Sequence, residues 1–211
     1  MNRARILIGL VWVVTALGAE PGLDATLKAV ETRYNRAKTL QVLFREEYTP
    51  PGKPHRVEAG TLLLRKPGRM RWDYTQPQGK LFVADGKFLW LYVPADNRAE
   101  KMKLQQSDDM RAPLAFLLGK LNFEKEFRNI EGHPDTAGIR ITAEPRTDNL
   151  PYSRVEFLVT PDNRIRQVKV TGFDKSILDF SFDQEQMNPV LDSRLFVFQA
   201  PPGATVVEAA Q

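Results

Sequence analysis

The side chains of this chain best suited to chemistry are two histidines and two adjacent acid pairs. His55 follows the proline-rich run Pro50-Pro51-Gly52-Lys53-Pro54, and His133 directly precedes Pro134. Both read as solvated loop residues, and neither has a sequence neighbour that suggests a triad or a metal box. Paired carboxylates can divide acid and base roles between them. Glu46-Glu47, however, falls on opposite faces of a predicted strand, and Asp108-Asp109 falls at a predicted helix start, where acids favour the dipole. A glycine-rich phosphate loop, a nucleophile elbow and a His-Glu-x-x-His pattern are all missing. The chain has no cysteine, so it has no disulfide and no thiolate-bound zinc or iron–sulfur site. These observations predict neither an enzyme nor a cofactor.

Any site would have to be held by the elements around it, beginning at the N-terminus. Arg3 and Arg5 precede the uncharged apolar run Ile6 to Ala16, and Ala16, Gly18 and Ala19 are small. This is the layout of a secretory signal peptide, with cleavage expected after Ala19, leaving residues 20–211 as one domain. The run is short for a span of about 20 residues. Without a cysteine after it, the mature chain would carry no lipid anchor of the bacterial lipoprotein type. Loss of Arg3 and Arg5 leaves 28 of the 30 basic side chains against 26 acids, a balance that does not argue for nucleic acid.

Leu23, Leu27, Val30, Tyr34 and Ala37 recur at helical spacing, opposite Lys28, Glu31, Arg33 and Arg36. From Thr39 the period changes to two. Strands are expected over 57–66, 69–74, 80–84, 87–93 and 98–103, then over 123–129, 138–144, 152–160, 164–171, 177–182 and 195–198. The turns between them are Pro67-Gly68, Gln76-Pro77, Asp85-Gly86, Asp96-Asn97 and Pro161 to Arg164. Connections this short make the strands antiparallel neighbours. The meander breaks at 107–119, where Met110, Leu114, Phe116, Leu117 and Leu118 give a short apolar helix ended by Gly119. The predicted fold is mainly β with some α. A single antiparallel sheet of about a dozen strands curls into an incomplete β-barrel with a helical lid, preceded by an N-terminal helix.

Within 69–74, Met70, Trp72 and Tyr74 alternate with Arg69, Arg71 and Asp73, so one sheet face is apolar and the other wet. Leu62, Leu64, Leu81, Val83, Leu89 and Leu91 extend the apolar face, although Phe82, Phe88 and Trp90 leave the register there open. That face can be a filled core or a ligand cavity, and strand pattern alone favours the filled core.

The stretch from Gly60 to Pro94 adds a resemblance. It reads Gly60-Thr61-Leu62-Leu63-Leu64-Arg65-Lys66-Pro67-Gly68-Arg69-Met70-Arg71-Trp72, then Tyr74-Thr75-Gln76-Pro77. Val83-Ala84-Asp85-Gly86-Lys87-Phe88-Leu89-Trp90-Leu91-Tyr92-Val93-Pro94 follows. It resembles the LolA-type outer-membrane lipoprotein carrier family, as does the end at Phe196-Val197-Phe198 and Pro201 to Ala204. The resemblance implies a monomeric periplasmic carrier. It would take acylated lipoproteins from an inner-membrane lipoprotein-releasing ABC transporter and pass them to an outer-membrane acceptor lipoprotein. Met70, Leu62, Leu64, Trp72, Leu81, Val83, Leu89 and Leu91 would line the acyl-chain cavity, under a lid carrying Met110, Leu114, Leu117 and Leu118. The family places an arginine before the proline of the basic-Pro step and ties it to holding the lid closed. Here that latch position is Lys66, which lacks the planar fork of arginine. A sensor of lipidated ligands or a carrier of free lipid would share the same apolar face.

Overall fold

A computed structural model describes residues 22–103, 121–147 and 150–208. The lid residues Met110, Leu114, Leu117 and Leu118 lie outside the described residues, as do residues 1–21. Helix α1 (Leu23–Arg36) is followed by strands β1 (Thr39–Thr49), β2 (Arg56–Arg65), β3 (Arg69–Gln76), β4 (Gln78–Asp85), β5 (Phe88–Val93) and β6 (Arg98–Lys103). A helical turn, α2 (Phe123–Glu126), opens the second half. Strands β7 (Phe127–Asp135), β8 (Gly138–Pro145), β9 (Tyr152–Val159), β10 (Ile165–Gly172) and β11 (Ile177–Met187) follow, and β12 (Thr205–Glu208) comes last.

All twelve strands form one sheet in the order β12-β6-β5-β4-β3-β2-β1-β11-β10-β9-β8-β7. Its ends are β12 and β7, so the barrel is incomplete. Two meanders, β1 to β6 and β7 to β11, are sewn together by the antiparallel pairing of β1 with β11. Turn chemistry fixes the local register. Asp85 Oδ1 accepts from the Lys87 and Phe88 amides at 2.8 and 2.7 Å, and Gly86 supplies φ 100° between β4 and β5. Gly60 is required by a close approach, since a Cβ there would lie 2.0 Å from the Asp73 carbonyl oxygen.

Two expected strands are corrected. Residues 123–126 make a helical turn, because Asn122 caps it by accepting from the Lys125 amide at 2.9 Å. Residues 193–196 form a 3₁₀ turn in place of the strand expected at 195–198. Asp192 caps that turn, and Phe196 is buried against the sheet with no strand edge to pair with. The last strand is instead β12, which pairs parallel with β6 and covers that edge.

Helix α1 buries Thr26, Leu27, Val30 and Tyr34 on what we call the inner face of the sheet. The helix starts where Leu23 fills the space a Cβ on Gly132 of β7 would need, and it ends beside Lys66 after β2. It therefore crosses the sheet obliquely. Its clamp is Glu185 of β11. Between Gln41 and Leu43 of β1, two residues of β11 oppose one, and Gln184 there has φ 52°. This bulge turns Glu185 inward. Glu185 takes Arg33 at Oε1 and the Tyr34 phenol at Oε2, 2.6 Å away, and the phenol oxygen accepts from the Ile165 amide at 2.9 Å. Burial, with Glu185 beside it, raises the Tyr34 pKa far above that of free tyrosine. Arg33 thus belongs to the clamp and not to a solvated helix face. Glu31 likewise accepts from the Phe123 amide at 2.8 Å.

Tyr34→Phe leaves the buried Ile165 amide without its acceptor and Glu185 Oε2 without the phenol donor, while Arg33 stays on Oε1. The expected cost is about 1–3 kcal/mol. A chain of this size would lose about 2–4 °C of melting temperature for each kcal/mol, read by circular dichroism.

Candidate functional site

The inner face is continuous and apolar. Directly paired residues share a face. Leu62 pairs with Trp72 and Leu64 with Met70; Trp72 pairs with Phe82 and Met70 with Ala84; Phe82 pairs with Leu91 and Ala84 with Leu89. Six of the eight predicted wall residues, namely Leu62, Leu64, Met70, Trp72, Leu89 and Leu91, therefore stand together on the inner face. The first five are buried and Leu91 is half-buried. Leu81 and Val83 are corrected to the outer face: they pair with Asp73 and Arg71, and with Tyr92 and Trp90. Phe82 and Ala84 take their inner places. The other half of the sheet completes the face with Val168, Val170, Leu178 and Phe180, and with Val155, Phe157 and Ile141.

Trp72 is the centre of an aromatic group. Its ring centroid lies 4.6 Å from Phe44, 5.5 Å from Phe180 and 6.4 Å from Tyr74. Its indole N–H is buried and meets no acceptor among the described residues. An orphaned buried donor costs about 1–3 kcal/mol. Beneath α1 the face is filled: the void lined by Tyr34, Leu40, Val42, Leu62, Val168 and Phe182 holds only about 20 Å³.

At the end of the inner face nearest the β1–β2 hairpin, the lining becomes charged. Glu46, buried, pairs across the strands with Glu58, whose carboxylate takes the Lys80 ammonium. That ammonium also lies 4.4 Å from the centroid of the Tyr74 ring. Glu47, on the outer face, pairs with Arg45 at 2.6 Å. The two glutamates therefore face opposite ways and do not form an acid–base couple. The alternation in β1 signalled this split, but the Lys80 partner came from a strand two places away. His55 and His133 are exposed, and no group of three metal-ligating side chains occurs among the described residues.

The outer face has a cover of its own. From Pro189 the chain runs across β2 to β5. Arg65 Nη1 donates to the Leu191 carbonyl at 3.1 Å and Arg71 Nη1 to the Leu195 carbonyl at 2.9 Å; Phe198 stacks on Trp90 at 5.0 Å. Val83 is fully buried beneath this strap. Arg65 and Lys66 diverge as strand alternation requires. Arg65 holds the strap, and the Lys66 ammonium donates to the Tyr34 carbonyl of α1 at 2.9 Å, with the Lys66 amide bonded to the Lys38 carbonyl at 2.9 Å. Partial burial lowers the Lys66 pKa.

An open twelve-stranded sheet with an apolar inner face, crossed by an N-terminal helix, is matched by a family model described as outer membrane lipoprotein carrier protein LolA over residues 35–199. The chain belongs to the LolA family. Relatives named outer-membrane lipoprotein carrier protein include one from Chromobacterium violaceum, 29% identical over 201 residues, covering 92% of this chain and 96% of that protein. Another, from Nitrosomonas europaea, is 26% identical over 208 residues, covering 96% and 98%. A solved structure of a conserved protein from Thermus thermophilus superposes with TM-score 0.53 at 13% identity, covering 88% of this chain and 98% of that one, and shares the fold.

In this LolA chain, Lys66 is tied to α1 at its C-terminal end, where helix carbonyls lack intrahelical partners and favour a cation. Lys66→Met removes that tie and is expected to cost about 1 kcal/mol in urea unfolding, the net worth of one hydrogen bond. Lys66→Arg keeps a donor at the same carbonyl and is expected to unfold with the parent midpoint.

Proposed function

We propose that this chain is a periplasmic carrier that holds the acyl chains of lipoproteins against the inner face of its sheet and does no catalysis. It receives them from an inner-membrane ABC transporter and releases them to an outer-membrane acceptor. Residues 1–19 serve as its export signal, and residues 20–211 act as a monomer. The observation that carries this reading is the continuous apolar inner face of an unclosed sheet, in a chain whose relatives are named lipoprotein carriers.

Leu62, Leu64, Met70, Trp72, Leu89 and Leu91 would contact the hydrocarbon, with Phe82 and Ala84 beside them in place of Leu81 and Val83. Burying an acyl chain gains about 0.8 kcal/mol per methylene. A permanently open groove would therefore hold its cargo too tightly to release it. A face that is filled when empty lowers the net affinity, because the covering side chains must be displaced first. The void of about 20 Å³ beneath α1 supports such a filled resting state. The Trp72 N–H, which meets no acceptor among the described residues, supports it too. An ester carbonyl carried in with the acyl chains gives that donor the acceptor it lacks, so part of its burial penalty is recovered only on binding.

Native mass spectrometry with a triacylated lipoprotein and its unacylated form tests the reading. A one-to-one complex with the acylated form alone is expected, and complexes with both forms or with neither would sink it. Leu91→Glu, on the half-buried part of the inner face, is expected to abolish the complex while the circular dichroism spectrum is kept. Leu43→Glu, at a partly exposed outer-face site, is expected to bind like the parent.

A further inference from the structure

We propose that the cleft between the end of α1 and residues 188–191 docks the protein on the phosphate surface of an anionic bilayer. The cleft encloses about 630 Å³, and its charged lining is Arg36, Lys38, Arg65 and Lys66, with no acid. Two chain segments that meet there supply these cations. Arg36 and Lys38 leave α1, and Arg65 and Lys66 leave β2. Arg36 and Lys38 are exposed, and Arg65 and Lys66 are half-buried with one donor each fixed on a carbonyl. Among the described residues none of the four forms an ion pair. The nearby Asp192 lies within electrostatic reach of Arg65 but is held by Arg194 at 2.9 Å. The concentration is local, because the mature chain as a whole is almost neutral.

The rim selects a bilayer over a free anion. Pro189, Val190 and Leu191 border the cations, and Val190 is 101% exposed. An isolated phosphate has no use for an exposed valine. At a membrane surface, cations meet lipid phosphates while an adjacent apolar side chain enters the headgroup boundary. The half-buried Lys66 has its pKa lowered by desolvation with no carboxylate to oppose it, so an arriving phosphate also restores its favoured charged form. This inference stands on the cleft alone and does not depend on what the inner face binds.

Co-sedimentation of the purified protein with phosphatidylglycerol vesicles, against phosphatidylcholine vesicles, tests it. Binding is expected only to the anionic vesicles, and it should weaken as salt is raised. The double variant Arg36→Gln/Lys38→Gln is expected to bind them about 25-fold less tightly, about fivefold per cation removed. Val190→Ser is expected to weaken binding by a smaller factor. Equal binding to neutral vesicles, or an unchanged double variant, overturns the proposal. So does full displacement by millimolar inorganic phosphate, which would make the cleft a site for the free anion. The same double variant is expected to take up triacylated lipoprotein like the parent. If no protein takes up lipoprotein while anionic vesicles still bind, the carrier reading fails and the docking surface remains.

Discussion

A wide sheet that stops short of closure has to hide an apolar face without help from its own far edge. In this chain everything else follows from that constraint. Water on the surface formed by Phe44, Trp72, Phe82, Phe157 and Phe180 would forfeit most of the hydrophobic gain of folding. The cover must come from outside the sheet, and for β7 to β2 it is α1. A single helix is a thin cover, so it needs a fixed seat. The seat is polar: Glu185, swung inward by a bulge, ties Arg33 and Tyr34 to β11, and the Tyr34 oxygen takes the Ile165 amide of β10. Burying an acid there is tolerable because it is paired and fully engaged.

The two faces are covered by opposite ends of the chain. The N-terminal helix lies inside, and the C-terminal strap lies outside across β2 to β5. Neighbouring residues divide between the two tasks, Lys66 reaching the helix and Arg65 the strap. The inner cover is thereby mechanically separate from the outer one. The strap's bonds, arginine to carbonyl and ring on ring, can persist while the inner face rearranges.

The turns and the strong alternation were legible in the sequence because they are local. Asp85-Gly86 marked its hairpin, and Met70, Trp72 and Tyr74 marked their face. The register of β4 and β5 was not legible, and the strap explains why. Alternation reports a face only when the other face is wet. Here Val83 and Trp90 are covered on the outside, so Leu81-Phe82-Val83 and Leu89-Trp90-Leu91 are apolar on both sides. The strap itself was misread as a strand, since Leu195 to Phe198 is apolar whether it pairs or merely packs. Glu185 was invisible for a different reason. Its role depends on a bulge and on partners over 150 residues away, which no local pattern records.

The pairing of β1 with β11 has a temporal consequence. A chain delivered from its N-terminus brings out α1 and the first meander long before residues 177–187 arrive to complete the middle of the sheet. Loop closure over such a span is slow, and it leaves β1 without a partner on one side. During that interval the nascent protein is an apolar sheet fragment whose helix has no Glu185 to sit on. Such a chain cannot complete the middle of its sheet until nearly its whole length has emerged. The same topology makes it dependent during that window on whatever prevents exposed strands from joining those of other chains.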